Sequence, residues 1–527
     1  MLYDAIIIGS GFGGAITACR LAEAGAKVLI LERGRRWDKK SYPSVTEKNW
    51  VWSHKEPEIL NGWTDIRVFK NMSVIQGAGV GGGSLIYANI STEAPPHTFK
   101  APWCAEITYD ELKPYYDRVA KFMNVQKVPE AQWPERTRLM REGAEKIGAA
   151  DRFKLLDLAV SFDPELKFAP HDPPSFPAPK TFINAQGKEQ GFCEHLGLCD
   201  TGCPVDAKNT LDLTYIAQAE KHHAEVRPLH IVKFIEPAEQ GYRVHFQRIE
   251  HGRLIPGSER ATKVIIAAGS LGSTELLFRC RDEYKSLPNV SNFLGKNWSS
   301  NGDFLTPALY PLRNISPTKG PTITSTIDFL DRSQEGQSFW IEDGGVPDLI
   351  GYYQQNITTQ IGKLLFASTL VKIINQNLYR RTAFEKVMPW FAQGVDAADG
   401  QLDFKRCWWQ FGFGKKHFNL KWNIKQSAPV FDAIFRMHHK LSKVTDGLPL
   451  DSPMWKISKD LITPHPLGGC SMGNSAVDGV VDHRGEVFGY PNLFVADAAI
   501  IPTALGVNPS RTIGALAERI ASLMSDE

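Results

Sequence analysis

The chain has 527 residues, 43% hydrophobic and 22% charged, an ordinary globular composition that excludes a disordered or fibrous protein. At about 100–200 residues per domain, that length predicts two or three domains. Lys and Arg total 60 against 58 Asp and Glu, so the net charge is +2 and offers no electrostatic footprint for nucleic acid.

The N-terminus runs straight into an apolar strand with no basic, cleavable leader, so the expected location is cytoplasmic, with export as a folded protein left open. Ala5–Ile8 is a short apolar run without a polar face, as a parallel strand covered on both sides requires. Gly9-Ser-Gly-Phe-Gly-Gly14 makes the turn, Ala15–Ala24 patterns as a helix ending at Gly25, and Lys27–Leu31 is the second strand, closed by Glu32. One βαβ unit in about 30 residues predicts a parallel sheet with crossover helices. Gly9, Gly11 and Gly14 follow a strand and open a helix, and Glu32 stands 18 positions after Gly14, which is the dinucleotide-binding fingerprint. Gly9 permits the tight turn, Gly11 lets backbone approach a pyrophosphate, and Gly14 lets helix and strand pack closely. The helix N-terminus offers unpaired N–H groups to phosphates, and Glu32 is placed to accept from ribose hydroxyls. The basic cluster Arg33, Arg35, Arg36, Lys39 and Lys40 reads as a solvated loop rather than a docking site.

This fingerprint does not separate NAD from FAD. A second tract, Gln76-Gly-Ala-Gly-Val-Gly-Gly-Gly-Ser84, favours FAD. Its glycines each cost conformational entropy in a packed strand, and they make sense where backbone lies flat against a large planar ligand. Further on, residues 160–182 carry six prolines and predict an extended connection. Eight cysteines are too few for a disulfide scaffold in this length, yet Cys193, Cys199 and Cys203 fall within eleven residues. Three readings stay open for them: iron–sulfur ligation, a zinc or disulfide role, or free thiols with no cofactor.

Val264–Ala268 and Asn492–Val495 look like two more strands of the first kind, followed by helices at Leu271–Phe278 and Ser510–Met524. A nucleotide domain would then be assembled from the start, middle and end of the chain. Residues 304–455 are rich in aromatics, among them Trp340, Trp390, Trp408, Trp409 and Trp422. Within them the apolar run Leu364–Ile374 is short of the roughly 20 residues of a membrane span. It reads as a helix facing the core or a substrate cavity, or alternatively as an amphipathic helix in peripheral contact with a membrane.

With the second glycine tract, the sequence resembles the glucose-methanol-choline (GMC) family of flavin oxidoreductases. The segments Ala207–Tyr215, Asn297–Gly302, His465-Pro-Leu-Gly-Gly-Cys-Ser-Met-Gly473, Asp478–Asp482, Leu493–Asp497, Ile501-Pro502 and Gly506-Val-Asn-Pro509 are similar in order and spacing to its cholesterol-oxidase subfamily. The similarity spans the chain and is thin across residues 310–455. It implies an α/β fold with a discontinuous FAD-binding Rossmann-type domain from residues 1–95, 205–303 and 456–527. Residues 96–204 and 304–455 would form a substrate-binding domain with a mixed or antiparallel β-sheet and helices. It also implies FAD as cofactor, with Asp497 at the pyrophosphate or ribityl chain and Val232 at the adenine. Gly81, Gly82 and Ser84 would pass close to the flavin, and Pro509 and Thr512 would sit beside its ring and at the start of the last helix. One departure is Tyr87-Ala-Asn-Ile90, where better-known relatives carry asparagine and two glycines, so packing at the flavin edge or pocket should differ. With no histidine in that tract, a covalent histidyl link is not expected.

Oxidising an alcohol takes a proton from the hydroxyl and a hydride from the carbon, in fixed geometry. A histidine can orient the hydroxyl and accept its proton. The resemblance assigns this to His465, held between Pro464 and Pro466, and makes Asn508 its catalytic partner. Glu342, in Phe339-Trp-Ile-Glu342, matches the proton-moving glutamate of steroid-oxidising relatives or is a solvated acid beside Asp343. The expected activity is FAD-dependent oxidation of a bulky apolar alcohol, sterol-like or long-chain, to a ketone or aldehyde. Oxygen or another electron acceptor would take the electrons. The alternatives are a dehydrogenase passing electrons to a protein or quinone, an iron–sulfur cluster included, a non-redox or light-driven flavoenzyme, or a non-catalytic electron-transfer module.

Overall fold

Ile6, Ile7 and Ile8 have no polar face to turn toward water, and the strand Leu2–Ile8 accordingly lies inside a seven-stranded sheet. The computed structural model describes residues 2–39, 41, 50–167, 180–347, 384–406, 416–451, 455 and 459–525. Leu2–Ile8 pairs in parallel with Val28–Leu31 on one side and with Arg253–Ile266 on the other. Glu225–Arg227 extends the sheet beyond Val28–Leu31, and Leu493–Val495 pairs in parallel with the inner end of Arg253–Ile266. One sheet thus gathers the beginning, middle and end of the chain.

The strand expected at Val264–Ala268 is far longer than its apolar run. Its outer half, from Arg253, alternates exposed and half-buried residues and pairs antiparallel with Tyr242–Glu250. Cross-strand pairing there replaces burial, which an apolar-run criterion cannot detect. The helices Phe12–Glu23 and Ser510–Ser525 pack together on the sheet. Between them the fully buried Glu518 accepts from Arg20 at 2.7 Å and from the Tyr215 hydroxyl at 2.8 Å, the pairing a buried charge demands. The basic cluster is solvated, with Arg35, Arg36 and Lys39 exposed, and it is also tethered. Arg33 pairs with Asp65 at 2.9 Å, Arg36 with Glu220 at 2.5 Å and Lys39 with Glu189 at 3.3 Å, and Arg35 donates to Asn61. Lys40 lies outside the described residues.

A second, antiparallel sheet runs Leu448–Pro449, Phe304–Leu309, Val387–Gly394, Gln337–Asp343, Ser325–Gln334, Phe153–Leu155. The 21-residue helix Ile424–Val444 packs on it, burying Val430, Phe431, Ile434 and Leu441. The aromatics expected in this region mostly fill that core: Trp390 is fully buried and Trp340 nearly so. Trp408, Trp409 and Leu364–Ile374 lie outside the described residues. A smaller sheet orders Leu461–Thr463, Met72–Gly77, Thr64–Phe69 and Val51–Trp52. Among the described residues no helix is long and apolar enough to cross a membrane.

The first helix approaches the last strand so closely that a Cβ on Gly13 would drive into the Ala496 carbonyl, while one on Gly14 would meet the Gly9 carbonyl. Gly13→Ala is therefore expected to lower stability by about 1–3 kcal/mol or more, read as a lower apparent Tm of FAD-free protein. Gly83→Ala, whose Cβ meets nothing within 4 Å, should leave that Tm unchanged.

Candidate active site

Parallel strands end where side-chain-free backbone must turn, and ligand crevices form outside those carboxyl ends. Here a cavity of about 1030 Å³ starts at Gly9–Gly13, Glu32, Ala267–Ser270 and Asp497 and continues to Leu305 and Phe391 on the antiparallel sheet. Gly9 takes φ +98°, which a side chain would strain. Helix Phe12–Glu23 begins at Gly11 with no side-chain cap and no acid in its first turn, so its N–H groups stay available to an anion. The two glycine tracts meet directly: a Cβ on Gly82 would stand 2.5 Å from the Gly11 Cα.

Glu32 is buried and accepts from the Ser10 N–H at 3.1 Å, the Ser10 hydroxyl at 2.7 Å and the Gly34 N–H at 2.9 Å. Asp497 accepts from the Gly269 N–H at 2.7 Å and the Ser273 hydroxyl at 2.6 Å, and burial raises its pKa. Val232 and Pro509 also stand on the wall. An uncapped helix start, crossing glycine tracts and an acid beyond the second strand suit a dinucleotide such as FAD.

Other expected contacts stand behind the wall. Gly14 packs helix to strand. Ser84 donates to the Gly81 carbonyl at 2.7 Å and accepts from the Leu211 N–H at 3.0 Å, so the pair braces the glycine tract. Thr512 is fully buried, the third residue of the last helix, with its hydroxyl 2.8 Å from that of Tyr116. The departing residues Tyr87 and Ala88 are on the wall, Tyr87 donating to the Asn209 carbonyl at 2.6 Å and meeting Phe12 edge-on.

At the other end, His465 follows the strand Leu461–Thr463 and lines the cavity. Its Nδ1 lies 2.9 and 3.1 Å from the carboxylate oxygens of Asp303, which is 1% exposed, and the Thr463 hydroxyl donates to that carboxylate at 2.5 Å. A carboxylate only accepts, so Nδ1 carries the proton and Nε2 keeps its lone pair for the cavity. Burial raises the Asp303 pKa, against the pull of His465 and Thr463. Sequence reasoning missed Asp303, although it directly follows the quoted segment Asn297–Gly302.

Asn508 is buried on the wall with its Oδ1 lacking a hydrogen-bond partner among the described residues. The loop before it is held by Asn301, whose Oδ1 accepts from the Leu505 and Gly506 N–H groups at 2.9 Å and whose Nδ2 donates to the Val507 carbonyl at 2.8 Å. Asn301 and Asp303, two residues apart, therefore position Asn508 and His465 respectively.

Glu342 and Asp343 are both fully buried, so neither is a solvated acid. Glu342 is in register with Phe391, itself in register with Leu305, so it occupies the sheet face that borders the cavity. Gln393 donates to its Oε2 at 3.1 Å, its Oε1 has no partner among the described residues, and burial raises its pKa well above the ordinary carboxyl value. Cys193, Cys199 and Cys203 are free thiols, and among the described residues no group of His, Cys, Asp or Glu is arranged to hold a metal.

The GMC oxidoreductase family pattern matches residues 3–154 and 437–517. The chain is 30% identical to a cholesterol oxidase of Acinetobacter baumannii, across 99% of this chain and 94% of that one. It is 23% identical to a long-chain-alcohol oxidase of Arabidopsis thaliana, across 99% and 67%. The crystal structure of pyridoxine 4-oxidase from Mesorbium loti superposes with a TM-score of 0.64 at 15% identity, across 100% and 99%. This chain belongs to the GMC oxidoreductase family. It is an FAD-binding oxidoreductase.

Ion pairs fasten the small sheet over the nucleotide end. Buried Asp65 holds Arg33 and His54, and Arg67 reaches across to Glu275 at 2.5 Å on the helix Gly269–Phe278. Burial alone would raise the Glu275 carboxyl from 4.5, but Arg67 and Arg279 outweigh it and hold it at about 2. A depressed carboxyl contributes stability above its unfolded value that is lost as pH falls toward its folded one. The difference in apparent Tm between wild type and Glu275→Gln should thus be largest above pH 4.5 and shrink as pH falls toward 2. A difference constant over that range would contradict the pairing.

Proposed function

We propose that the protein oxidises a bulky apolar alcohol, sterol-like or long-chain, to a ketone or aldehyde. The observation that carries this reading is His465, locked through Nδ1 on a buried carboxylate and presenting Nε2 to a cavity shared with the unpartnered Oδ1 of Asn508. His465 takes the hydroxyl proton at Nε2, and Asp303 stabilises the imidazolium that forms. Asn508 places the hydroxyl so that proton and hydride leave one carbon in a single geometry.

Gly9, Gly11, Gly13, Gly82, Glu32, Val232, Asp497 and Pro509 would hold FAD, which when bound supplies the two-electron acceptor. We assign residues 1–95, 205–303 and 456–527 to an FAD-binding domain and residues 96–204 and 304–455 to a substrate-binding domain, both of which line the one cavity. The apolar reading rests on Ile90, Ile323, Leu305, Phe391 and Ile462 in the wall. Leu305 and Ile462 are 43% and 38% exposed, an apolar rim suited to receiving substrate from a lipid surface. Glu342 is the proposed third member: a buried acid beside the cavity can move a proton on a sterol-like product. The names of the cholesterol and long-chain-alcohol oxidases fit this substrate class and oxygen as acceptor.

The test is anaerobic mixing of the FAD-loaded protein with sterols and long-chain alcohols, following loss of oxidised-flavin absorbance at about 450 nm. Bleaching is expected, and flavin that stays oxidised with every alcohol overturns the reading. His465→Ala should slow bleaching about 10²–10⁴-fold while FAD is retained. In air, one hydrogen peroxide per alcohol marks oxygen as acceptor, and its absence with a turning-over enzyme marks another.

A further inference from the structure

The cavity has a second polar corner that the proposed chemistry does not use. Asp200 and Thr201, from the cysteine-rich loop, line it together with Thr322. Asp200 sits in the one-turn helix Cys199–Thr201, after which Gly202, at φ +100°, redirects the chain. The same cavity wall also carries Tyr87, Ile90 and Ile323. Asp200 is half-buried there, with Lys208, Arg136 and the Thr322 hydroxyl acting on its carboxyl.

Both sides of the corner are clamped from behind. The buried Lys208 ammonium donates to the Cys199 carbonyl at 2.6 Å and the Leu85 carbonyl at 2.8 Å, which fixes the Asp200 side. The buried Arg136 guanidinium donates to the carbonyls of Lys319, Pro321 and Thr322 at 2.8–2.9 Å and to that of Asp343, which fixes the Thr322 side. These cations spend their protons on backbone oxygens and hold the walls, while Asp200, with Thr322 hydrogen-bonded beside it, lines the cavity.

We propose that Asp200, with Thr201 and Thr322, is a specificity site that accepts a hydrogen bond from a second hydroxyl of the substrate, remote from the carbon oxidised. The proposal rests on the alcohol-oxidase reading and narrows it to bulky diols. The electrostatics select that class. Lys208 and Arg136 both act on Asp200, which disfavours an ammonium group, and the carboxyl itself disfavours an acid. Burial raises Asp200 to about 6, with Lys208, Thr322 and Arg136 pulling it down, so near neutral pH it is chiefly an acceptor. A site built to pair a hydroxyl discriminates strongly against the analogue lacking it, because its own polar group is then left unsatisfied.

The experiment uses FAD-loaded enzyme under anaerobic conditions with matched pairs: 1-decanol and 1,10-decanediol, and a 3β-hydroxysterol with its side-chain-hydroxylated counterpart. The concentration giving half-maximal bleaching rate is expected to be at least about tenfold lower for the diol of at least one pair. Asp200→Leu should bring that ratio to about one, and Thr322→Val, which keeps the volume, should reduce it several-fold. Equal values for both members of each pair in wild type, or a ratio that survives both substitutions, overturns the proposal while leaving alcohol oxidation standing. A shifted substrate-free flavin spectrum or FAD affinity in both variants, with no preference for diols in wild type, would place the carboxyl on the flavin instead and also overturn it. Should no alcohol bleach the flavin, the alcohol-oxidase reading fails. The same pairs are then scored by flavin difference spectra on binding, where tighter diol binding lost in Asp200→Leu supports the site and equal dissociation constants refute it.

Discussion

The buried contact between Asp303 and His465 is the interaction on which the rest of the site depends. A carboxylate sealed from water is tolerable only where hydrogen bonds replace its hydration. Asp303 obtains them from the His465 ring and the Thr463 hydroxyl, so the fold needs the histidine in place as much as the histidine needs its partner. The same segment, through Asn301, holds the loop that carries Asn508. It is anchored at both sides: Trp298 bridges to Gly400, Ser299 to Leu467, and Ser299 and Ser300 donate to buried Asp396. One short stretch of chain, at the joint between the antiparallel sheet and the flavin-side segments, thereby fixes the relative placement of two side chains that arrive from residues 465 and 508.

The nucleotide end solves a different problem, namely how to bring backbone close to a large anionic ligand. Its answer is the removal of side chains on both sides of one crossing, at Gly11 and Gly82, together with a helix start left uncapped. Closure over that end comes from charge instead, through Asp65 with Arg33 and Arg67 with Glu275, with His54 hydrogen-bonded to Asp65. Those pairs join strands of the small sheet to the second strand of the parallel sheet and to the helix Gly269–Phe278. The cofactor region is therefore shaped by backbone and sealed by side chains.

What could be read in the sequence follows from how local each signal is. The first βαβ unit was legible because an uninterrupted apolar run, a glycine turn and a periodic helix sit within one stretch. Gly9, Gly11 and Glu32 were legible as the dinucleotide fingerprint and His465, Asn508 and Asp497 as family motifs, and all stand on the cavity wall. Asp303 was not, because its meaning lies in a histidine 162 positions away. The outer half of Arg253–Ile266 was hidden because a hairpin held by cross-strand pairs needs no apolar run. Thr512, Gly81 and Ser84 belong to the same motifs but work from behind the wall, since a motif preserves the residues that brace a site along with those that touch its ligand. The basic cluster after Glu32 is solvated as read, but its partners, Asn61, Asp65, Glu189 and Glu220, were hidden because all are distant in sequence.

Three buried acids near the catalytic end, Asp303, Glu342 and Asp343, show how environment rather than residue type assigns roles. Asp343 accepts from the Thr324 and Ser325 N–H groups and the Thr324 hydroxyl and faces Arg136, so its oxygens are committed to holding the sheet edge. Glu342 has a single amide donor on one oxygen and nothing on the other, and burial drives it toward the neutral acid. Asp303 alone of the three touches a ring that can gain a positive charge during the reaction. Proton transfer to His465 would leave an imidazolium against a carboxylate in a water-poor setting, where that attraction is far stronger than in bulk solvent. Under the proposed mechanism, then, only Asp303 of the three would gain interaction energy as the substrate loses its proton, so its contribution would grow along the reaction rather than being spent on the fold.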